Sequence, residues 1–382
     1  PRFVDRGKVT ANTFSNTKAQ ILEINSKTGL YPLYVTYSIY RTKCSAHSAE
    51  QLDEELQQKL WDETVRENVF VICKTPMAKF ITRRTLVGYR DAKVNAHYFD
   101  DLINMLKNKP ENFTKRVLKC SYWNKDCGGN MKFDAVVGNP PYQVMDGGGK
   151  GYSAKPVYQL FVEQAKNLNP DYLSMITPSR WFAGGKGLDE FRAVMLQDMH
   201  LRKIVDYTDN EVLFKGVAIV GGVNYFLWDN TYDGDCEVVS VRGNKVTTLF
   251  RKLSEYDIFI RNNESVQLMK RVEECSDKKM GDYVYTRNVF RISSDFRGQD
   301  EPDAKHTIAL FCSQKSNSMA VTYINEDQVG KQKDLLPKYK VIIGKVVPRG
   351  GEVGVDPSIG YRVISTVQLL LPLIPFGLPC LH

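Results

Sequence analysis

Residues 133–143 read FDAVVGNPPYQ. An apolar run, Phe133 to Val137, ends at Gly138. An amide (Asn139), two prolines (Pro140, Pro141) and an aromatic ring (Tyr142) follow. Neither proline has an N–H to donate, so the pair ends a strand and cannot sit inside a sheet. The prolines fix φ and turn the Pro140 carbonyl outward. The side-chain oxygen of Asn139 and that carbonyl then form two acceptors for one –NH2 group, and Tyr142 can lie flat on the ring that carries it. The stretch reads as a receptor for a planar exocyclic amine at the carboxyl end of a buried strand.

Working outward, apolar strand-like runs alternate with helical ones. KAQILEIN (18–25), NVFVICK (68–74), RVLKCSYW (116–123), FDAVVG (133–138), YLSMITPS (172–179), LRKIVDYTD (201–209) and VGGVNYFLWDN (220–230) read as strands. Helical spacing covers about 31–41, 49–67, 75–86, 100–108, 157–168 and 188–197. Alternation of this kind gives βαβ units and a mostly parallel sheet covered on both faces. The fold class is therefore α/β. Ligands of such sheets bind beyond the carboxyl ends of the strands, which is where Asn139 stands. Residues 1–230 form the main domain. A different pattern runs from 231 to 382, with a helix at about 264–275 followed by short strands and turns.

At Asn139-Pro140-Pro141-Tyr142 the sequence resembles the γ-class adenine-N6 DNA methyltransferases, the TaqI-like group that includes the methylase part of type IIG restriction-modification enzymes. Their motif is Asp, Asn or Ser, then Pro-Pro, then an aromatic residue. The resemblance covers roughly residues 18–230. It implies a Rossmann-like methyltransferase fold, S-adenosylmethionine as cofactor, and double-stranded DNA as partner with the target adenine flipped out of the helix. It also implies that residues 231–382 hold a linker and part of a target-recognition domain, that the setting is the cytoplasm of a prokaryote or a phage, and that a restriction nuclease is fused or associated. Methyltransferases acting on a glutamine side chain or on RNA guanine share an Asn-Pro-Pro-aromatic site and are the nearest competing enzymes. A non-catalytic DNA-binding subunit competes from another class.

The same resemblance points to a cofactor loop of the form LEPxxGxGxF. The corresponding residues are Leu22-Glu23-Ile24-Asn25-Ser26-Lys27-Thr28-Gly29-Leu30-Tyr31. Glu23, Gly29 and Tyr31 match, while Lys27 stands for the first glycine and Ile24 for the proline. Glu23, Asn25, Thr28 and Gly29 are the candidate cofactor contacts. Asp101 is a candidate acid for the cofactor's adenine, against its reading as a helix-starting Asp. The second strand ends Ile72-Cys73-Lys74 with no acid for the ribose. Phe214, leading into the final hairpin, is the candidate to pack on the flipped base opposite Tyr142; an ordinary core Phe is the competing reading. Arg180 in TPSRW (177–181) and Lys215 are candidate DNA contacts. GGGKG (147–151) lacks the phosphate-loop spacing and reads as a mobile loop near the base. Glu163 and Gln164 read as helix-surface residues.

Composition sets limits on this reading. Of 382 residues, 42% are hydrophobic and 25% charged, with a net charge of +8. Residues 240–350 hold 20 Lys and Arg against 14 Asp and Glu, which suits a polyanionic partner. The eight cysteines are scattered without a CxxC and apart from the five histidines, so no metal site is expected and the thiols read as reduced. No apolar run is long enough to span a bilayer. A chain that opens on Pro1 and closes on TVQLLLPLIPFGLPCLH reads as a fragment.

Overall fold

The computed structural model describes residues 13, 16–48, 50, 52–145, 154–217, 219, 221–275, 289–293, 296–313 and 319–337. The chain forms two compact units, Pro1–Leu268 and Met269–His382.

The first unit is built on one twisted sheet. Its elements run β1 (Ile21–Ser26), α1 (Leu30–Cys44), α2 (Glu54–Asn68), β2 (Val69–Cys73), α3 (Pro76–Val87), β3 (Asn95–Tyr98), α4 (Leu102–Asn108), α5 (Pro110–Val117) and β4 (Ala135–Gly138). A short ribbon follows, β5 (Gln143–Met145) with β6 (Ala154–Pro156). Then come α6 (Tyr158–Asn167), β7 (Tyr172–Pro178), α7 (Asp189–Gln197), β8 (Leu201–Tyr207), β9 (Val223–Asp229), β10 (Cys236–Arg242) and β11 (Lys245–Arg251). The strand order is β11-β10-β8-β9-β7-β4-β1-β2-β3. β1 pairs in parallel with both β2 and β4, whereas β9 runs antiparallel between β7 and β8. This is the Rossmann-like fold expected from the alternation of elements: a mostly parallel sheet with helices on both faces and two reversed strands, β9 and the edge strand β11.

The pattern of residues explains the layering. β1 and β2 are buried along their whole length, as strands covered on both faces must be. Their period of two divides them between two cores. Leu22, Ile24, Phe70 and Ile72 join the core that holds Phe113, Phe161, Trp181 and Met195. Ile21, Val69, Val71 and Cys73 join the core packed under α1–α3, with Val35, Ile39, Val65 and Leu86. Helix starts are set by local chemistry. Asp53 accepts from Leu56 N at 2.7 Å ahead of α2, and Thr75 accepts from Ala78 N ahead of α3, with Pro76 at the first helical position.

Four expectations change. RVLKCSYW (116–123) is not a strand: α5 ends at Val117 and Cys120–Trp123 is a single 3-10 turn. The buried Trp123 indole donates to Val117 O at 2.7 Å, so the aromatic run caps a helix end. The edge strand of this side is instead the short β3, whose Asn95 amide holds the carbonyls of Arg66 and Val69. Gln164 is buried rather than on the helix surface, and Thr114 donates to its side-chain oxygen at 3.3 Å. Cys120 and Cys127 are joined as a disulfide across their loop, whereas Cys44, Cys73, Cys236 and Cys275 are free thiols.

The boundary placed at residue 230 falls inside the sheet. β10 pairs with β8, β11 pairs with β10, and the unit runs to Leu268 within helix α8 (Asn263–Cys275). In the second unit, β12 (Ile308–Ser313) and β13 (Met319–Ile324) form an antiparallel pair over a small core of Phe290, Leu310, Ile324, Val329 and Leu335. GGGKG and the apolar terminal stretch lie outside the described residues. Among the described residues no helix is long and apolar enough to cross a membrane, and no group of three or more His, Cys, Asp or Glu is placed to hold a metal ion.

Candidate active site

The chain leaves β1 toward β2 on one side, and β4 pairs on the other, so the sheet's order reverses between β1 and β4. The crevice at their carboxyl ends is where such a sheet binds ligands. Two loops meet there. Ile24 and Gly138 are register partners. A Cβ on Gly138 would stand 2.8 Å from Ile24 O, so only glycine lets β4 end this close to β1. Beyond that point Asn25 takes a left-handed conformation, φ 76°, and its side-chain amide donates to the carbonyl of Asn139 at 2.8 Å. The first residue of the Asn-Pro-Pro-Tyr stretch is thus tied through its backbone to the candidate cofactor loop.

That loop is packed onto α3. The Lys74 N–H donates to Ser26 O at 2.9 Å, and Thr85 Oγ1 donates to Thr28 O at 2.7 Å. Gly29 caps α1 with φ 76°, and a Cβ there would meet Thr82 Cα at 2.9 Å. Four further groups define the crevice electrostatically. Glu23 is 6% exposed, and its Oε2 is buried without a hydrogen-bond partner. Burial pushes its carboxyl up to about 7, against the opposing pull of a Ser26 hydrogen bond and the Lys27 charge. Lys27 is pushed down, first by partial burial and then by the Lys74 charge, with Glu23 opposing. Burial and the Glu23 charge raise Tyr31. Burial, with Tyr31 nearby, raises Tyr142, whose hydroxyl is buried without a partner. Pro140 is buried, and Asn139, Pro141 and Tyr142 are partly so.

The structure brings Glu23, Asn25, Gly29, Asn139 and Tyr142 to one crevice, and the other candidates follow the carboxyl ends of β3, β7 and β8 along the same rim of the sheet. Asp101 is exposed and caps α4, accepting from Asn104 N at 3.1 Å. With Asp100 and His97 it lines a pocket of about 470 Å³ at the end of β3. Burial and the charges of Lys79 and Arg116 push His97 down to about 4 there. Arg180 is exposed on the 3-10 turn Ser179–Phe182 that follows β7. Phe214 is partly buried in the loop after β8, with exposed Lys215 beside it. Asn210 stitches that loop: Phe214 N donates to its carbonyl at 2.8 Å, Ile219 N to its Oδ1 at 3.3 Å, and its amide holds Val217 O.

Residues 67–214 match the Eco57I restriction-modification methylase family. The matched stretch includes Asn139–Tyr142, Ser179–Phe182 and Phe214, and it begins after the β1 loop. The chain is also similar to an uncharacterized adenine-specific methylase of Mycoplasma pneumoniae, with 29% identity over 189 residues, 48% of this chain and 42% of that protein. It therefore spans less than half the length of that relative. The resemblance first seen at Asn139–Tyr142 is thus one to adenine-specific methylases of restriction-modification systems. Similar solved structures include the type IIL restriction-modification enzyme MmeI in complex with DNA, at TM-score 0.42 and 13% identity over 65% of this chain and 38% of that one. Another is the EcoKI M protein of a type I restriction enzyme, at TM-score 0.39 and 12% identity over 94% and 64%.

Sequence reading missed the groups that hold the site. Thr82 walls the Gly29 turn, and a buried polar cluster of Thr177, Ser179, Asp206 and Asn224, covered by the partly exposed Arg261, lies at the ends of β7 and β8. Its members are far apart in sequence, and no local pattern marks them.

Proposed function

We propose that this chain carries the catalytic core of a DNA methyltransferase that acts on the N6 amino group of adenine within a restriction-modification system. The observation that carries this reading is the Asn25–Asn139 contact. It fixes Asn-Pro-Pro-Tyr at the switch point of a methyltransferase sheet, directly against the loop where the methyl donor would lie.

The residues present fit S-adenosylmethionine at its amino-acid end. The unpartnered Glu23 oxygen suits an ammonium group, and Lys27 with the loop N–H groups suits a carboxylate. When bound, the cofactor supplies an electrophilic methyl group on a sulfonium. The chain's own residues do the rest. Glu23, Asn25, Thr28 and Gly29 hold the donor. The Asn139 side-chain oxygen and the Pro140 carbonyl accept hydrogen bonds from the adenine amino group and offset the positive charge that grows on nitrogen as it attacks. Tyr142 stacks on the base from one side and Phe214 from the other, and base–aromatic stacking of roughly 1–3 kcal/mol per base offsets the loss of stacking in the duplex. No covalent enzyme intermediate is needed; positioning and electrostatics carry the step. Arg180 and Lys215 meet phosphates. The second unit, Met269–His382, belongs to target recognition, and a restriction nuclease acts in the same system.

A second reading, a DNA-binding subunit without catalysis, draws on Lys27 and Lys74, two mutually repelling cations beside the loop that would hold a cationic cofactor. One experiment separates the two. The full-length protein is incubated with DNA and labelled S-adenosylmethionine, and the nucleosides are resolved. N6-methyladenine is expected from the wild type and none from Asn139→Ala, with cofactor affinity held within a few-fold. Label only in protein or RNA, or no cofactor binding by the folded protein, sinks the proposal.

A further inference from the structure

Asp206, at the end of β8, is 0% exposed, and Arg261 grips it with both arms of its guanidinium: Nε to Oδ2 at 2.7 Å and Nη2 to Oδ1 at 2.7 Å. The carboxylate is fully buried and the Arg261 side chain about a quarter exposed, so desolvation of the carboxylate offsets part of their attraction. What distinguishes the pair is where its remaining hydrogen bonds go. Ser179 Oγ, on the turn that carries Arg180, donates to Asp206 Oδ1 at 2.6 Å. Arg261 Nη1 donates to the carbonyl of Gly221 at 2.6 Å, at the far end of the loop that carries Phe214 and Lys215. The two loops are also joined directly, Ser179 N to Gly222 O at 3.0 Å. Asn224, the second residue of β9, donates to Ser179 Oγ at 3.3 Å. Gly222 has φ 79°, and a Cβ there would strike Tyr207 O at 2.2 Å, so this end of the loop has no slack.

Arg261 is itself held. Arg251, at the end of β11, donates to Ile260 O at 2.6 Å. Phe259 N donates to Phe182 O at 3.1 Å, and the two rings stack with centroids 4.0 Å apart. The Arg261 guanidinium lies 5.6 Å from the Phe182 ring. A segment well past residue 230 thus reaches back to the two loops assigned above to the flipped base and its phosphates.

We propose that Arg261, acting through Asp206, is a positioning residue for the target base: it sets the Ser179–Phe182 turn and the Phe214 loop in one fixed relation, so that the Phe214 side of the base pocket and the phosphate contact at Arg180 are held in register. This rests on the methyltransferase reading. The wild-type measurement separates the two claims, because failure of the wild type to methylate DNA refutes that reading before any variant is made.

The test uses the full-length protein with Arg261→Lys, which keeps the charge opposite Asp206 but loses the fork, and Arg261→Met, which keeps the length alone. Single-turnover methyl transfer is measured at saturating DNA and cofactor, with melting temperature and both affinities alongside. Expected is a rate loss of roughly 10- to 100-fold in both variants, with cofactor affinity within a few-fold of wild type and DNA affinity changed less than the rate. A structural role alone would lower the melting temperature and leave the saturated rate intact, and that result overturns the proposal. Should Arg261→Met not fold, Arg261→Lys decides: a wild-type rate in it refutes the proposal and a loss of rate supports it.

Discussion

The side-chain amide of Asn25 donates to the backbone carbonyl of Asn139 at 2.8 Å, across two neighbouring strands 114 residues apart in the chain. Asn25 does two jobs at once, since it also occupies a left-handed backbone position, φ 76°. The two separate by substitution. Asn25→Gly removes the hydrogen bond and keeps the backbone at ease, at a net cost of about 1 kcal/mol. Asn25→Ala also strains the left-handed position, adding about 1–2 kcal/mol. Chemical denaturation should rank wild type above Gly above Ala. Methyl transfer should fall in both variants, because the shared loss is the tie that places Asn139. Equal stability of the two variants would show that the backbone strain is not real.

Tyr142 gives the second prediction. Its hydroxyl is buried without a hydrogen-bond partner, an arrangement that costs stability. Tyr142→Phe is therefore expected to match or exceed wild type by up to about 1 kcal/mol while keeping methyl transfer, since on the proposed reading it is the ring and not the hydroxyl that stacks on the base. Tyr142→Ala removes the ring and should lower the rate strongly. A large loss of activity in Tyr142→Phe would mean that the hydroxyl contacts DNA or the cofactor.

The two halves of this site were unequally legible. FDAVVGNPPYQ could be read because its signals are local: a buried strand shows as an apolar run, and two prolines end it whatever surrounds them. β1, β2, β7 and their helices were legible for the same reason. β3 was not, because NAHY has no apolar run and is held by Asn95 reaching the carbonyls of Arg66 and Val69. Trp123 and its neighbours misled, because an aromatic run looks the same in a strand and in a turn that packs beneath a helix. Arg261 was out of reach, as its partner Asp206 lies 55 residues away in β8. Long-range polar pairing leaves no periodicity behind.

Gly29, read from the sequence as a candidate cofactor contact, also has a packing role. Its φ of 76° and the 2.9 Å approach of a built Cβ to Thr82 Cα penalise any side chain. Gly29→Ala should cost about 1–2 kcal/mol from the backbone alone, with the clash added. Because the loop must lift from α3 to relieve the contact, cofactor affinity should fall with it. Calorimetric titration checks this, and unchanged affinity would remove Gly29 from the cofactor site.

Glu23 makes the site sensitive to pH. Its carboxyl is raised from the ordinary 4.5 to about 7, chiefly by burial. The folded state thus favours the neutral form more than the unfolded state does. The stability this lends is full below pH 4.5 and is lost as pH rises through about 7. The whole effect is on the order of 3 kcal/mol. Glu23→Gln should therefore unfold at the same denaturant concentration as wild type near pH 4.5 and at a higher one near pH 8. Cofactor binding should run the other way. An ammonium group favours the ionised carboxylate, so wild-type affinity should rise from pH 6 to pH 8, with proton release visible when titrations are compared in buffers of different ionisation enthalpy. Glu23→Gln should bind more weakly and without that slope. A wild-type affinity flat across this range would show that Glu23 does not meet the cofactor's charge.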